Sequence, residues 1–257
     1  MRYRLLGLAA LFLYLAGAGG GSASNARTFT MQQPRAIPPA GRVVSQSLLS
    51  INGAAVNAGC VYSHQLVLPH GAWQIREDEL ARAPFGCTMT LRRTVYSRPN
   101  SSPRFSLFGH PNFPPGDGGS GGTESAGYSK SWYTDPAGAT VNSVSSGVDF
   151  YYINNTLAAV LPCTYSYNWL GATGWTQSSH NESCSYSSTT VDSSEYSDYR
   201  DQLFCGALLT EVVYDRNHAY GYGSGALGGS WNDYVPTLQS NPCSSWLTWH
   251  GNVWRTK

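Results

Sequence analysis

Nowhere in the 257-residue chain is there a Cys-x-x-Cys pair, a His-Glu-x-x-His or a His-x-His. The first absence removes thioredoxin-type redox chemistry and zinc ribbons. The other two, with six histidines scattered along the chain, leave a metal site without support. Lysine is scarce, two against fourteen arginines. We take that as the codon bias of a GC-rich genome rather than phosphate-binding chemistry. Beyond the first segment no stretch is long and apolar enough to span a bilayer. No repeat of fixed period recurs, which argues against a propeller or solenoid. No cofactor is implied.

What is present points outside the cytoplasm. Arg2 and Arg4 precede an apolar run from Leu5 to about Gly19, followed by small residues at Ser22, Ser24 and Ala26. This is the plan of a secretory signal over residues 1–26, with a mature chain that is secreted and not transmembrane. Six cysteines follow, at positions 60, 87, 163, 184, 205 and 243. An even count in an exported chain implies three disulfides. The spacing favours neighbours, Cys60–Cys87, Cys163–Cys184 and Cys205–Cys243, among the 15 connectivities that six cysteines allow.

The formal charge of +1 hides an asymmetry. Residues 27–130 hold ten Arg/Lys against five Asp/Glu, and residues 131–257 hold four against ten. Opposite balances suggest two units: a small basic β unit over 27–96 and an acidic, aromatic-rich β-sandwich over 131–257. Between them a Pro/Gly/Ser-rich linker or long loop spans 97–130. The basic residues are scattered, so no nucleic-acid surface is expected. In the first unit Asn52–Gly53 between β-branched runs signals a hairpin. Ile75–Ala83, IREDELARA, is the one helical patch, about two turns long. The rest is short aromatic and β-branched segments split by turn chemistry such as INNT, DRN and SGALGG. The fold class is therefore all-β, an antiparallel sandwich or barrel with disulfides, preceded by a mainly-β N-terminal unit with one short helix.

Two motif matches fail on context. Gly223, Gly225 and Gly228 spell G-x-G-x-x-G, but the following GSWNDYVPTLQSNP is too poor a helix former to face a pyrophosphate. Ser120, in GGSGG, fits G-x-S-x-G but sits in linker rather than at a strand-to-helix elbow. The acids Asp192, Glu195, Asp198 and Asp201 recur every third residue and read as a solvated acidic loop, with calcium chelation as the sharper alternative. Glu182, Glu195 and Glu211 are available as a glycosidase-type carboxylate pair, although one sequence does not bring any two together. No catalytic residue is assigned.

Aromatic residues give the sharpest expectation. In SWLTWHGNVW a period of two puts Trp246, Thr248, His250, Asn252 and Trp254 on one face. Leu247, Trp249, Gly251 and Val253 fall on the other, which looks like core. Trp246, His250 and Trp254, and Tyr165, Trp169 and Trp175 from a stretch that also offers Tyr167, are the candidate ligand-binding residues. Flat rings beside hydrogen-bonding groups suit sugars. The expected function is binding of polysaccharide or cell-surface glycan. A glycoside hydrolase-like enzyme and a structural or interaction protein of the cell envelope are the alternatives. Asn100, Asn154 and Asn181 begin N-x-[ST] sequons that matter only in a eukaryotic secretory pathway.

Overall fold

Alternation of β-branched and aromatic residues with serine, threonine and asparagine gives nearly every segment one face to bury and one to hydrate. Strands result almost throughout. A computed structural model of the chain describes residues 41–56, 59–83, 86–99, 122–237 and 241–256. The expected leader, Asn100 and Ser120 lie outside the described residues.

Among the described residues fourteen strands, numbered in chain order, form two antiparallel sheets. The larger runs β1 (Val43–Asn52), β5 (Thr88–Tyr96), β4 (Gln74–Arg82), β14 (Thr248–Arg255), β6 (Thr123–Thr134), β7 (Thr140–Ile153) and β8 (Thr156–Val160). In it β9 (Thr164–Trp169) pairs with the first half of β7, and β8 with the second. The smaller sheet runs β10 (Thr176–Tyr186), β11 (Thr190–Cys205), β12 (Leu208–Tyr222), β13 (Leu227–Tyr234), β3 (Gly59–Val67) and β2 (Ala54–Val56). The inner faces share one core that includes Phe150, Val191, Tyr199, Tyr214, Trp231 and Val253. Trp231 and Trp249 meet edge to face at 5.5 Å, and Tyr214 meets Tyr133 and Tyr199 in the same way at 5.8 Å. Each such pair adds about 0.5–1.5 kcal/mol beyond its area. Polar bolts cross the core: the Tyr214 hydroxyl donates to the Asn142 side chain at 2.5 Å, and the Ser146 hydroxyl to the Asn217 carbonyl at 2.8 Å.

The all-β expectation holds, and the three disulfides join the neighbours that spacing favoured, with Cα separations of 5.4, 5.8 and 5.7 Å. No helix among the described residues is long and apolar enough to cross a membrane. The glycine match is a hairpin: β12 ends at Tyr222, Gly225 takes φ +79°, and β13 begins at Leu227. Asn154 and Asn155, at φ 51° and 62°, form the exposed two-residue turn from β7 to β8. Asn181 is exposed too, but on β10 rather than in a turn.

Several local expectations are corrected. Ile75–Ala83 is no helix: residues 74–82 are β4, held between β5 and β14. Its charges find partners across strands, which outweighs their intrinsic helix preference. Asn52–Gly53 is no hairpin turn either. β1 pairs with β5 in the larger sheet and β2 with β3 in the smaller, so the chain changes sheets there. A side chain at Gly53 would collide with the Val61 carbonyl. The DRN segment does not end a strand; it is a bulge within β12, with Arg216 at φ 75°. Nor do residues 41–99 and 122–256 form separate bodies. Strands of both lie side by side in each sheet, β4 beside β14 and β3 beside β13.

Candidate functional site

β11 disperses the acidic series. With a period of two, Asp192 and Asp198 fall on the outer face of the smaller sheet, whereas Glu195 and Asp201 point into the sandwich. This corrects the solvated loop. Asp192 bonds His218 at 2.7 Å, Asp198 bonds Arg200 at 3.0 Å, and Asp201 accepts the backbone amides of Leu203 and Phe204. Among the described residues, no group of three or more His, Cys, Asp or Glu side chains is placed to hold a metal ion.

Glu195 is fully buried, and Glu182 stands directly across from it on the edge strand β10. Two residues back on β10, and so on the same face, is His180. Its Nε2 lies 3.3 Å from Glu182 Oε1 and 3.5 Å from Glu195 Oε1. These are ion-pair distances without hydrogen-bond geometry, so Nε2 has no hydrogen-bond partner among the described residues; neither has Glu195 Oε2. Sharing one nitrogen, the two carboxylate oxygens are at most about 7 Å apart, which excludes the wider separations of inverting glycosidases. Burial, reinforced by the charge of Glu182, pushes the Glu195 carboxyl well above the usual carboxylate range, against the hydrogen bond from Ser197. Burial likewise lowers His180, against the pull of Glu182, so its imidazole is neutral at pH 7. Glu211 joins Arg200 at 2.7 Å instead.

β9 supplies the aromatic wall. It hydrogen-bonds to β7 in the larger sheet, so Tyr165, Tyr167 and Trp169 share one face, turned toward β10 and β11. All three are partly exposed. The rings of Tyr167 and Trp169 are nearly parallel, 7° apart with centroids at 6.3 Å, and Tyr167 lies 4.3 Å from the His180 ring. Trp169 continues inward to Tyr199 at 6.1 Å. The Cys163–Cys184 disulfide ties the start of β9 to β10. The result is a surface patch at the sandwich edge, called the mouth below, in which an aromatic side meets an acid–imidazole side.

The other expected residues are placed elsewhere. Trp175 is 1% exposed and packs on Phe204. Trp246, 54% exposed, is on a 3-10 turn, Pro242–Trp246, ahead of β14. It therefore shares no strand face with His250 and Trp254. The parity of the strand itself is as expected: Trp249, Gly251 and Val253 point inward and His250, Asn252 and Trp254 outward. Trp254 is nonetheless only 2% exposed, stacked on Tyr128 at 5.4 Å. His250 Nδ1 bonds Asp78 at 2.7 Å, its Nε2 bonds the Thr134 hydroxyl at 3.1 Å, and its ring stacks on Trp132 at 5.1 Å. Burial pushes the Asp78 carboxyl up, but His250 and Arg76 outweigh it and hold it below its usual value. We read this Asp–His–Thr chain as a clamp across β4, β14 and β6.

His180 is the residue that sequence reasoning missed. The signal was its spacing of two from Glu182, which on a strand places both on one face. Compared with protein-family models, with curated proteins and with solved structures, the chain gives no match.

Proposed function

We propose that this chain is an exported, disulfide-clamped β-sandwich that binds polysaccharide or cell-surface glycan at the mouth between β9 and β10. The observation that carries the reading is the parallel, part-exposed Tyr167–Trp169 pair beside His180 and Glu182. The apolar face of a pyranose stacks on such rings, and its hydroxyls bond the polar side. Export is supported by the signal-like residues 1–26 and by three disulfides without a free cysteine among the described residues. Retention of the mature protein on insoluble polysaccharides, followed by tryptophan fluorescence, tests the reading. Trp169→Ala weakens retention about 5- to 30-fold, as expected for losing a stacking contact of about 1–2 kcal/mol. If no polysaccharide retains the wild type, or if Trp169→Ala binds equally, the reading fails.

The opposition of Glu182 and Glu195 favours a second reading, a glycoside hydrolase. The protonated Glu195 is then the general acid, and the more exposed Glu182 serves as base or nucleophile. Release of reducing ends from a retained polysaccharide, abolished in Glu195→Gln, supports it. Retention without any release leaves binding alone.

A further inference from the structure

The outer face of the larger sheet carries buried polar groups that have no partner among the described residues. In register across β4, β14 and β6 lie Arg76, Asn252 and Lys130. Asn252 is 0% exposed, yet among the described residues neither its amide nitrogen nor its amide oxygen has a hydrogen-bond partner. In the next row Gln74 is 2% exposed with its carbonyl oxygen unbonded. Arg76 is paired with Asp78 at 2.9 Å, but Lys130 has no acid partner among the described residues. Its ammonium stands over the Trp132 ring at 5.6 Å, and burial lowers its proton affinity. A buried polar group left unmatched costs about 1–3 kcal/mol, so in folded proteins such groups are nearly always matched, by the chain itself or by something bound to it.

The chemistry of that partner follows from what is unmatched. Lys130 and Asn252 are direct cross-strand neighbours, so an ammonium and an amide N–H lie within reach of the two oxygens of one carboxylate. The amide oxygens of Asn252 and Gln74 accept from hydroxyls. The stacked pairs Trp132–His250 and Tyr128–Trp254 bound the row on its two sides as flat apolar walls. Gly147 leaves room for Tyr128 to lie flat, since any side chain there would strike its ring. We propose that the outer face of β4, β14 and β6 binds a carboxylate-bearing sugar, a uronate, with Lys130 and Asn252 on its carboxylate. Arg76 and Lys130 both end over Trp132, and the ligand reaches Asn252 by displacing these two flexible side chains. One unpaired cation matches one negative charge; a neutral sugar leaves it unmatched.

The site is separate from the β9–β10 mouth, so variants at the two surfaces tell their failures apart. Titration calorimetry with a galacturonate oligosaccharide, and with its neutral galactose counterpart, is run on the wild type, Lys130→Met, Asn252→Ala and Trp169→Ala. Urea midpoints establish that each variant is folded. The expected result is binding of the galacturonate oligomer alone, weakened at least tenfold in Lys130→Met and Asn252→Ala and unchanged in Trp169→Ala. The proposal is overturned if the wild type does not bind the oligomer or binds the neutral sugar equally. It is also overturned if folded Lys130→Met binds undiminished, or if Trp169→Ala abolishes binding, which places the ligand in the mouth.

Discussion

Replacing Asp233 by asparagine abolishes a pH dependence of stability that the wild type carries in its core. Asp233 is 2% exposed, and its Oδ2 accepts the Trp249 indole N–H at 2.8 Å. Burial raises its pKa from 3.8 to about 7, against the hydrogen bonds from Trp249 and Ser131 and with the help of Asp215. The native state therefore keeps this proton to a higher pH than the unfolded chain does. Its contribution to stability is full below the unfolded value and is lost as pH rises toward 7, after which the loss levels off. At about 1.4 kcal/mol per unit of pH, the loss from this one group between about pH 4.5 and pH 8 comes to about 3 kcal/mol. Asparagine keeps an acceptor for Trp249 and has no proton to lose. It leaves a buried N–H₂ at a cost of about 1–3 kcal/mol, but that cost is the same at every pH. Urea unfolding followed by tryptophan emission at five pH values, with disulfides intact, gives both curves. The difference between variant and wild type should move by about 3 kcal/mol in favour of the variant from pH 4.5 to pH 8. Parallel curves would refute the reasoning, because they would mean that Asp233 is solvated or is not what titrates.

Other perturbations are read more simply. Tyr214→Phe removes a buried hydroxyl bonded to Asn142 and costs about 1–2 kcal/mol in urea unfolding, with no new pH dependence. Ala207, exposed at φ 75° in the two-residue turn from β11 to β12, is strained; Ala207→Asn raises stability by about 0.5–1 kcal/mol, seen as a higher melting temperature. Removing Cys205–Cys243, which closes a 38-residue separation, costs about 4 kcal/mol in the chain-entropy model, slightly more than removing Cys163–Cys184 with a separation of 21. Paired serine variants compared by chemical denaturation check the order.

What could be read from the sequence follows one rule, the period of two. It correctly sorted Trp249 and Val253 from His250 and Asn252, because each strand residue has only two directions to point. The same rule disperses Asp192–Asp201, where a spacing of three sends alternate acids of a strand to opposite faces. Local signals failed wherever a partner strand was distant in sequence. Gln74–Arg82 has helical composition, but its neighbours are residues 88–96 and 248–255, and their arginines and histidine settle its state. The expected division at 97–130 rests on its Pro/Gly/Ser-rich composition and on the charge balance of its two flanks. Charge balance says nothing of pairing, and Val61–Val67 finds its partner in Gly228–Tyr234. The burial of Trp175 and Trp254 was likewise beyond local reading, since exposure depends on which sheet covers a face.

The mouth depends on one topological detail. β9 hydrogen-bonds to β7 but turns its aromatic face to β10 and β11, so a strand of the larger sheet closes over the edge of the smaller. Edge strands expose unpaired backbone groups and need protection; β10 is polar along most of its length, and β9 shields its inner side. Cys163–Cys184 is the covalent link between these two strands, which belong to different sheets and share no ladder. Its loss therefore acts on two levels. The stability lost is that of one closed loop, shared by the whole sandwich, whereas the spacing of Tyr167 from His180 is a local quantity with no other covalent restraint nearby. Glycan retention should accordingly fall further in the Cys163→Ser, Cys184→Ser pair than in the Cys205→Ser, Cys243→Ser pair, even though the second bridge closes the longer loop. Equal retention in the two would mean that backbone pairing to β7 alone holds β9 in place.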